Sequence, residues 1–191
     1  MLIKPAEQTP LSAYALEVLA TQAGLPADVM ITLSGDAVAV GKTLCESDVV
    51  RKLSFTGSTE VGRILMQQCA PTIKKLSLEL GGNAPVIVFD DANIEQAVKG
   101  IMASKFRNSG QTCVCANRVY IQAGVYAAVS QRVIAEVNKL KTGDGRVDGV
   151  TQGPLIDEEA IAKVQAHIQD AVSQGAKVQV GGQRVAADNT F

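Results

Sequence analysis

The stretch VRKLSFTGSTEVGRILMQQCAPTIKKLSLELGG, residues 50–82, contains the pattern that decides the fold of this chain. Its apolar residues predict a strand over residues 50–55, a helix that begins near Ser58, and a second strand over residues 73–80. A strand, a helix and a second strand in this order are typical of a parallel sheet with helices on its faces. The stretch therefore predicts an α/β fold.

The predicted helix in this stretch has one apolar face, because four apolar residues recur at helical spacing. They are Val61, Ile64, Leu65 and Cys69. The second strand stops at Gly81-Gly82, a pair that breaks the pattern of strands and helices. We expect a domain boundary at this point, with one domain over residues 1–81 and a second over residues 82–191.

The rest of the chain continues the alternation of strands and helices. Thr9 and Pro10 predict an N-cap and a first-turn proline before an apolar stripe that ends at Gly24. Further helices are predicted over residues 36–45, 93–106, 125–140 and 157–174, and further strands over residues 29–33, 85–89, 118–122 and 177–180. These elements again fit parallel α/β units.

The charge of the chain excludes some classes of partner. The formal net charge of the 191 residues is −1, and the lysines and arginines form no cluster in the sequence. This pattern predicts binding neither to nucleic acid nor to an anionic membrane surface. No apolar run approaches the ~20 residues of a membrane span, and no signal peptide is visible. We expect a cytoplasmic protein.

The chain has four cysteines and a single histidine, His167. The cysteine spacing matches neither a secreted disulfide framework nor a zinc site, so reduced thiols and no metal are expected. Cys45 and Cys69 fall on apolar helix faces and are predicted to be core residues. His167 borders the apolar face of its helix and is predicted to be structural.

Two short motifs place reactive groups in unusual settings. In KFRNSGQTCVCANR, residues 105–118, Cys113 follows a Gly-Gln-Thr turn, a setting that suits a nucleophilic thiol, although a free cysteine is commonly a small buried residue. In LSLELGG, residues 76–82, Glu79 is the only charge in an apolar run. This carboxyl is expected to be partly desolvated between Leu78 and Leu80, as suits a general base; the alternative is a charge at a strand end that faces solvent.

The junction Phe55-Thr56-Gly57-Ser58 joins a predicted strand to a predicted helix. A turn of this kind can hold a pyrophosphate through backbone N–H groups and the helix dipole. Ser58 could equally be an ordinary N-cap.

With three further motifs, the chain resembles the aldehyde dehydrogenase superfamily. These motifs are KPAEQTPLSA at residues 4–13, SFTGSTEVGR at 54–63 and QGPLIDEEA at 152–160. The sequence around Cys113 is most similar to that of succinate-semialdehyde dehydrogenases. The resemblance implies the later part of a Rossmann-like NAD(P)-binding domain over residues 1–81 and the first part of a catalytic domain over residues 82–191. Because family subunits are more than twice this long, the chain resembles an internal fragment.

The resemblance assigns catalytic roles to Cys113 and Glu79. Cys113 would attack the aldehyde and then carry the acyl group as a thioester. Glu79 would activate the water that hydrolyses the thioester, or would deprotonate the thiol. The Cys113 N–H would help to hold the oxyanion, beside an Asn side chain that family members supply from a segment outside this chain.

The resemblance also assigns cofactor and substrate contacts. The cofactor residues are Lys4 and Glu7 at the adenine ribose, Gly57 and Ser58 at the pyrophosphate, Val61 on the cofactor side of its helix, and Leu80 at the nicotinamide end. A carboxylate at Glu7 favours NAD, with NADP as the alternative. Arg107 would bind the substrate carboxylate, unless it is a solvated arginine at a helix end. Cys115 either packs in the interior or pairs reversibly with Cys113.

These observations predict an NAD(P)-dependent oxidation of a small aldehyde, with succinate semialdehyde as the expected substrate. A first alternative is an aldehyde dehydrogenase of different specificity. A second is a truncated chain without activity. Full-length relatives are expected to be homo-oligomers.

Overall fold

A computed structural model describes residues 1–184 of the chain. The chain divides into two compact units, which meet in the sequence between Leu80 and Gly81. Each unit is α/β, and every strand pair in it is parallel. None of the helices in residues 1–184 is long and apolar enough to cross a membrane.

The first unit contains two pairs of parallel strands and three α-helices. In chain order its elements are β1 (Leu2–Ile3), α1 (Leu11–Gln22), β2 (Ile31–Thr32), α2 (Ala37–Glu46), β3 (Lys52–Thr56), α3 (Thr59–Cys69) and β4 (Lys75–Glu79), with a short 3₁₀ helix at Ala70–Thr72. Strand β1 pairs with β2, and β3 pairs with β4. The β3–α3–β4 unit confirms the strand, helix and strand that residues 50–82 predict.

Local sequence explains where the helices of this unit begin. The Asp36 side chain accepts a hydrogen bond from the Ala39 N–H at 2.7 Å, and the Ser58 side chain accepts one from the Val61 N–H at 3.2 Å. Such N-caps stabilise the first turn of a helix because its N–H groups have no partner within the helix.

The core between α2 and α3 is small. Cys45, Leu65 and Cys69 are buried together, as predicted for both cysteines. Val61 and Ile64, predicted on the same apolar face as Leu65, are exposed in this unit. Gly62 lies on the buried side instead, where its missing side chain lets the helix pack closely.

Over residues 81–184, the second unit is built around one pair of parallel strands. Its elements are β5 (Ala84–Val88), α4 (Ile94–Lys105), a 3₁₀ turn at Arg107–Gly110, β6 (Ala116–Ile121), α5 (Ala123–Val137) and α6 (Glu158–Ser173). Strands β5 and β6 are parallel, so α4 lies in the crossover that joins them. The buried core consists of Val88, Val98, Ile101 and Val129.

Two expectations about these elements are wrong. Residues 177–180 form no strand, because an isolated segment has no neighbour to complete its backbone hydrogen bonds, and the described part of the chain provides none there. The cap of α1 is Pro10 rather than Thr9: the Pro10 carbonyl accepts hydrogen bonds from the Ala13 and Tyr14 N–H groups. The short strand β1 was not expected from the sequence pattern.

Candidate active site

Cys113 lies in a loop between α4 and β6, residues 106–115, that we call the Cys113 loop. Its side chain is exposed and its thiol is free. By contrast, Cys115 is fully buried, two residues later. The Cys115 Sγ hydrogen-bonds with the Thr112 Oγ1 at 2.8 Å and lies 3.7 Å from the Lys105 carbonyl oxygen. Cys115 is therefore packed in the interior, which is one of its two predicted roles. This packing anchors the loop on its C-terminal side.

The other two cysteines, Cys45 and Cys69, are buried, whereas Cys113 is exposed. Burial, together with a hydrogen bond and charge repulsion from Cys69, raises the pKa of the Cys45 thiol to about 11. A thiol with such a pKa is almost entirely protonated near neutral pH and reacts slowly, because the thiolate is the nucleophile. Burial and protonation therefore both make Cys45 a poor target for an electrophile, whereas the Cys113 thiol is exposed.

The backbone of Cys113 lies directly against Gly82. A Cβ atom built at Gly82 would overlap the carbonyl oxygen of Cys113. Only glycine leaves room for this approach of two backbone segments. Gly82 therefore fixes where the backbone of the predicted nucleophile lies, a role that the sequence indicates only as a break in the pattern. Next to Gly82, the Asn83 carbonyl oxygen accepts a hydrogen bond from Arg118 Nη2 at 2.6 Å. This bond holds the segment that contains Gly82 against β6.

Arg107 occupies the first position of the 3₁₀ turn after α4, in the same loop as Cys113. Its side chain is exposed. Among residues 1–184, no hydrogen bond or ion pair engages its guanidinium group; only its backbone carbonyl has a contact, with the Cys115 thiol at 3.9 Å. The positive charge of Arg107 is therefore available to an anion.

Glu79 is the last residue of β4, in the first unit. Its side chain is exposed in that unit, so the expected partial desolvation between Leu78 and Leu80 is wrong there. The reason is the geometry of a strand: successive side chains point to opposite faces, so Leu78 does not cover its neighbour. Glu79 pairs with Thr56 in the β3–β4 register. Its carbonyl oxygen accepts the Gly57 N–H at 3.0 Å.

The predicted pyrophosphate turn lies at the carboxyl end of β3. Ser58 is the N-cap of α3, which is the role predicted as the alternative to pyrophosphate binding. A side chain at Gly57 would collide with the ring of Phe55. Leu80 packs on α3, where a Cβ atom at Gly62 would come within 2.6 Å of its Cδ2 atom. The turn, α3 and Leu80 thus form one packed group, in which Val61 remains exposed.

Lys4 and Glu7 come together near the start of α2. The Lys4 Nζ lies 3.7 Å from the Glu7 Oε1 and donates to the Pro5 carbonyl oxygen at 3.0 Å. The Glu7 Oε1 also accepts the Ala37 N–H at 3.2 Å, next to the Asp36 cap. Two carboxylates therefore already occupy the N-terminus of α2, an arrangement that the sequence does not reveal because Asp36 lies far from the KPAE motif.

The whole chain, residues 1–191, matches the aldehyde dehydrogenase family and belongs to it. Its relatives include a glutarate-semialdehyde dehydrogenase of Pseudomonas putida, 60% identical over 97% of this chain, and an NADP-dependent succinate-semialdehyde dehydrogenase of Escherichia coli, 61% identical over 95%. In both cases the chain spans 38% of the relative's length.

Solved structures agree with this assignment. An NADP-dependent enzyme of Escherichia coli superposes with a TM-score of 0.97 at 58% identity, over all of this chain and 40% of that one. A succinate-semialdehyde dehydrogenase of Burkholderia pseudomallei superposes with a TM-score of 0.96 at 54% identity, over all of this chain and 39% of that one. The fold described above is therefore part of an aldehyde dehydrogenase fold.

Proposed function

We propose that this segment belongs to an enzyme that oxidises a short aldehyde with an anionic group at its far end, succinate semialdehyde above all, to the carboxylic acid. The observation that carries the proposal is the free guanidinium of Arg107 in the same loop as the exposed Cys113 thiol. A nucleophile and a cation in one loop can hold the two ends of a small bifunctional substrate.

In this proposal Cys113 forms the covalent bond to the substrate. The thiolate attacks the aldehyde carbon, and the carbonyl oxygen becomes an oxyanion near the Cys113 N–H. When the oxyanion reforms the C=O bond, hydride leaves the former aldehyde carbon and a thioester remains on the sulfur. A bound NAD would supply the acceptor for this hydride. Water then cleaves the thioester, which releases the acid and the Cys113 thiolate. Glu79 takes a proton from this water.

The substrate class is supported by the chemistry of the named relatives. Several of the most similar proteins are named for succinate or glutarate semialdehyde, and one of Pseudomonas putida is named 3-sulfolactaldehyde dehydrogenase, 54% identical over the whole chain. All three substrates carry a carboxylate or a sulfonate in addition to the aldehyde. A guanidinium group suits both anions because its N–H groups can bind two oxygens at once.

Replacing Arg107 by Met in a full-length enzyme that carries this segment tests the proposal. We expect kcat/KM for succinate semialdehyde to fall by about 10- to 100-fold, since a hydrogen bond to a charged group contributes about 1.5–3 kcal/mol. Butanal, a neutral aldehyde with the same carbon chain, should change by less than about twofold. Arg107→Lys serves as the matched variant, because it keeps the charge but not the planar pair of donors. Equal losses for both aldehydes would contradict the assigned role.

We also propose that NAD is the preferred cofactor. The support lies in Glu7 and Asp36, whose carboxylates both accept N–H groups at the start of α2. With Glu7 beside the adenine ribose, a free 2′-hydroxyl can donate to a carboxylate, whereas a 2′-phosphate would meet two negative charges. This proposal differs from the NADP dependence in the name of the Escherichia coli relative.

Glu7→Ser in the full-length enzyme is expected to narrow the ratio of kcat/KM for NAD over NADP by about tenfold, because it removes one of the repelling charges. Steady-state kinetics with each cofactor at saturating aldehyde measure this ratio. Glu46→Ser, at the exposed far end of α2, is the control and should leave the ratio unchanged. A wild-type enzyme that already prefers NADP would refute the proposal.

A further inference from the structure

The Cys113 loop contains three successive residues with left-handed backbone conformation. Asn108, Ser109 and Gly110 have φ values of 49°, 55° and 79°. Residues other than glycine rarely adopt such values, and two of these three carry side chains. A backbone of this kind persists only where surrounding contacts hold it. The loop that carries the predicted nucleophile therefore needs specific anchors.

Within the loop, Gln111 closes the turn that contains the left-handed residues. Its backbone N–H donates to the Asn108 carbonyl oxygen at 3.1 Å, and the Asn108 side-chain amide donates to the Gln111 carbonyl oxygen at 3.2 Å. These bonds fix the shape of the turn but do not join it to another part of the unit. Contacts to another part of the unit are needed to place it.

Those contacts join the loop to residues 153–156. The Gln111 Nε2 donates to the Pro154 carbonyl oxygen at 3.4 Å, and the Gln111 Oε1 accepts the Ile156 N–H at 2.8 Å. The carboxamide thus uses both its donor and its acceptor on one backbone segment, as a neighbouring strand would. The Ser109 Oγ adds a third bond, to the Gly153 carbonyl oxygen at 2.9 Å.

Gln111 and Cys115 stand on either side of Cys113 at the same sequence distance. On the far side, the buried Cys115 holds Thr112 through the 2.8 Å contact of their side chains. Cys113 itself stays exposed between the two anchors. Its thiol is accessible, while the backbone on both sides of it is tied to the rest of the unit.

We propose that Gln111 is a positioning residue for the Cys113 nucleophile, acting through the bonds of its carboxamide to Pro154 and Ile156. The inference rests on the proposed function, in which Cys113 attacks the aldehyde. Gln111 touches neither substrate nor cofactor in this role. It sets where the thiol and the Cys113 N–H lie relative to the aldehyde carbon, which governs the chemical step more than the binding steps.

The test uses a full-length enzyme that carries this segment, with Gln111→Ala and Gln111→Met. Met keeps the length of the side chain but removes its donor and its acceptor, so it separates hydrogen bonding from packing. Both variants are expected to lower kcat by at least about tenfold and to leave KM for NAD within about twofold, since misplacement of reacting groups by ~1 Å can cost on the order of a hundredfold. Gln131→Ala, an exposed glutamine on α5 of the same unit, is the matched control.

A second readout is independent of turnover. Hydrogen exchange measured by mass spectrometry should rise in peptides that cover residues 108–113 and, reciprocally, in those that cover residues 153–156, while α5 keeps its protection. Ser109→Ala should produce a smaller change in the same direction. A wild-type kcat in Gln111→Met would overturn the proposal, and so would unchanged exchange over residues 153–156 in both Gln111 variants.

Cys113→Ala in the same enzyme separates this inference from the proposed function. An inactive Cys113→Ala protein together with fully active Gln111 variants would refute the positioning role alone. Wild-type turnover by Cys113→Ala would refute the proposed function, and the positioning role with it.

Discussion

Cys113→Ala is expected to lower aldehyde oxidation by a full-length enzyme that carries this segment by at least about a thousandfold. The reason is that the other thiol of the loop, Cys115, is fully buried, so the covalent route from aldehyde to acid is lost as a whole. Cys113→Ser should be nearly as severe, because a serine hydroxyl is scarcely ionised near neutral pH and forms an ester that is cleaved less readily than a thioester.

NADH formation from succinate semialdehyde, followed by absorbance with purified wild-type and variant enzymes, measures this loss. Val114→Ala is the matched control, since Val114 is the exposed neighbour of Cys113 in the same loop. Turnover by Val114→Ala should stay within about twofold of the wild type, because the substitution keeps the Cys113 thiol and trims only an exposed side chain. Substantial turnover by Cys113→Ala would show that the enzyme does not oxidise the aldehyde through a thioester on Cys113.

Glu79→Gln is expected to lower kcat by about 10²- to 10⁴-fold, the usual contribution of a general base. Gln keeps the size of the side chain but cannot take a proton from water. If Glu79 acts on the hydrolytic water, the first turnover should still release a burst of NADH, because hydride leaves before the thioester is hydrolysed. If Glu79 instead deprotonates the thiol, the burst itself should slow.

Rapid-mixing measurements of NADH in the first turnover separate these two roles, which the sequence leaves open. Glu46→Gln is the control: Glu46 is an exposed carboxylate at the end of α2, 3.8 Å from the Lys42 Nζ. Its kcat should stay within about twofold of the wild type. An unchanged kcat in Glu79→Gln would exclude Glu79 as the base.

Much of the fold can be predicted because the relevant signals are local. Asp36, Ser58, Asn93 and Asp157 each cap the helix that follows them, through bonds to an N–H three residues ahead. Both the signal and the structure lie within a few residues. The same holds for α4, where Val98 and Ile101 lie three residues apart, which is helical spacing, and are both buried.

The failures arise where the structure depends on distant residues. Whether residues 177–180 form a strand depends on a partner that their own sequence cannot specify. The predicted desolvation of Glu79 assumed that the side chains next to it in sequence also cover it in space. In a strand they do not, because successive side chains point to opposite faces. For the candidate site, the motifs indicate Cys113 and Arg107, but not the bonds of Gln111 to Pro154 and Ile156, more than forty residues further along the chain.

The position of the Cys113 loop within the β5–β6 crossover has a consequence for folding. Strand β6 begins at Ala116, directly after the buried Cys115, so the loop ends where the sheet begins. With the bonds of Gln111 to Pro154 and Ile156 in place, sheet and loop are therefore expected to form and melt as one cooperative unit, and loss of those bonds is expected to let the loop open alone. The position of the predicted nucleophile then depends on the stability of its whole unit. Core substitutions far from Cys113 can therefore weaken catalysis without changing any catalytic group.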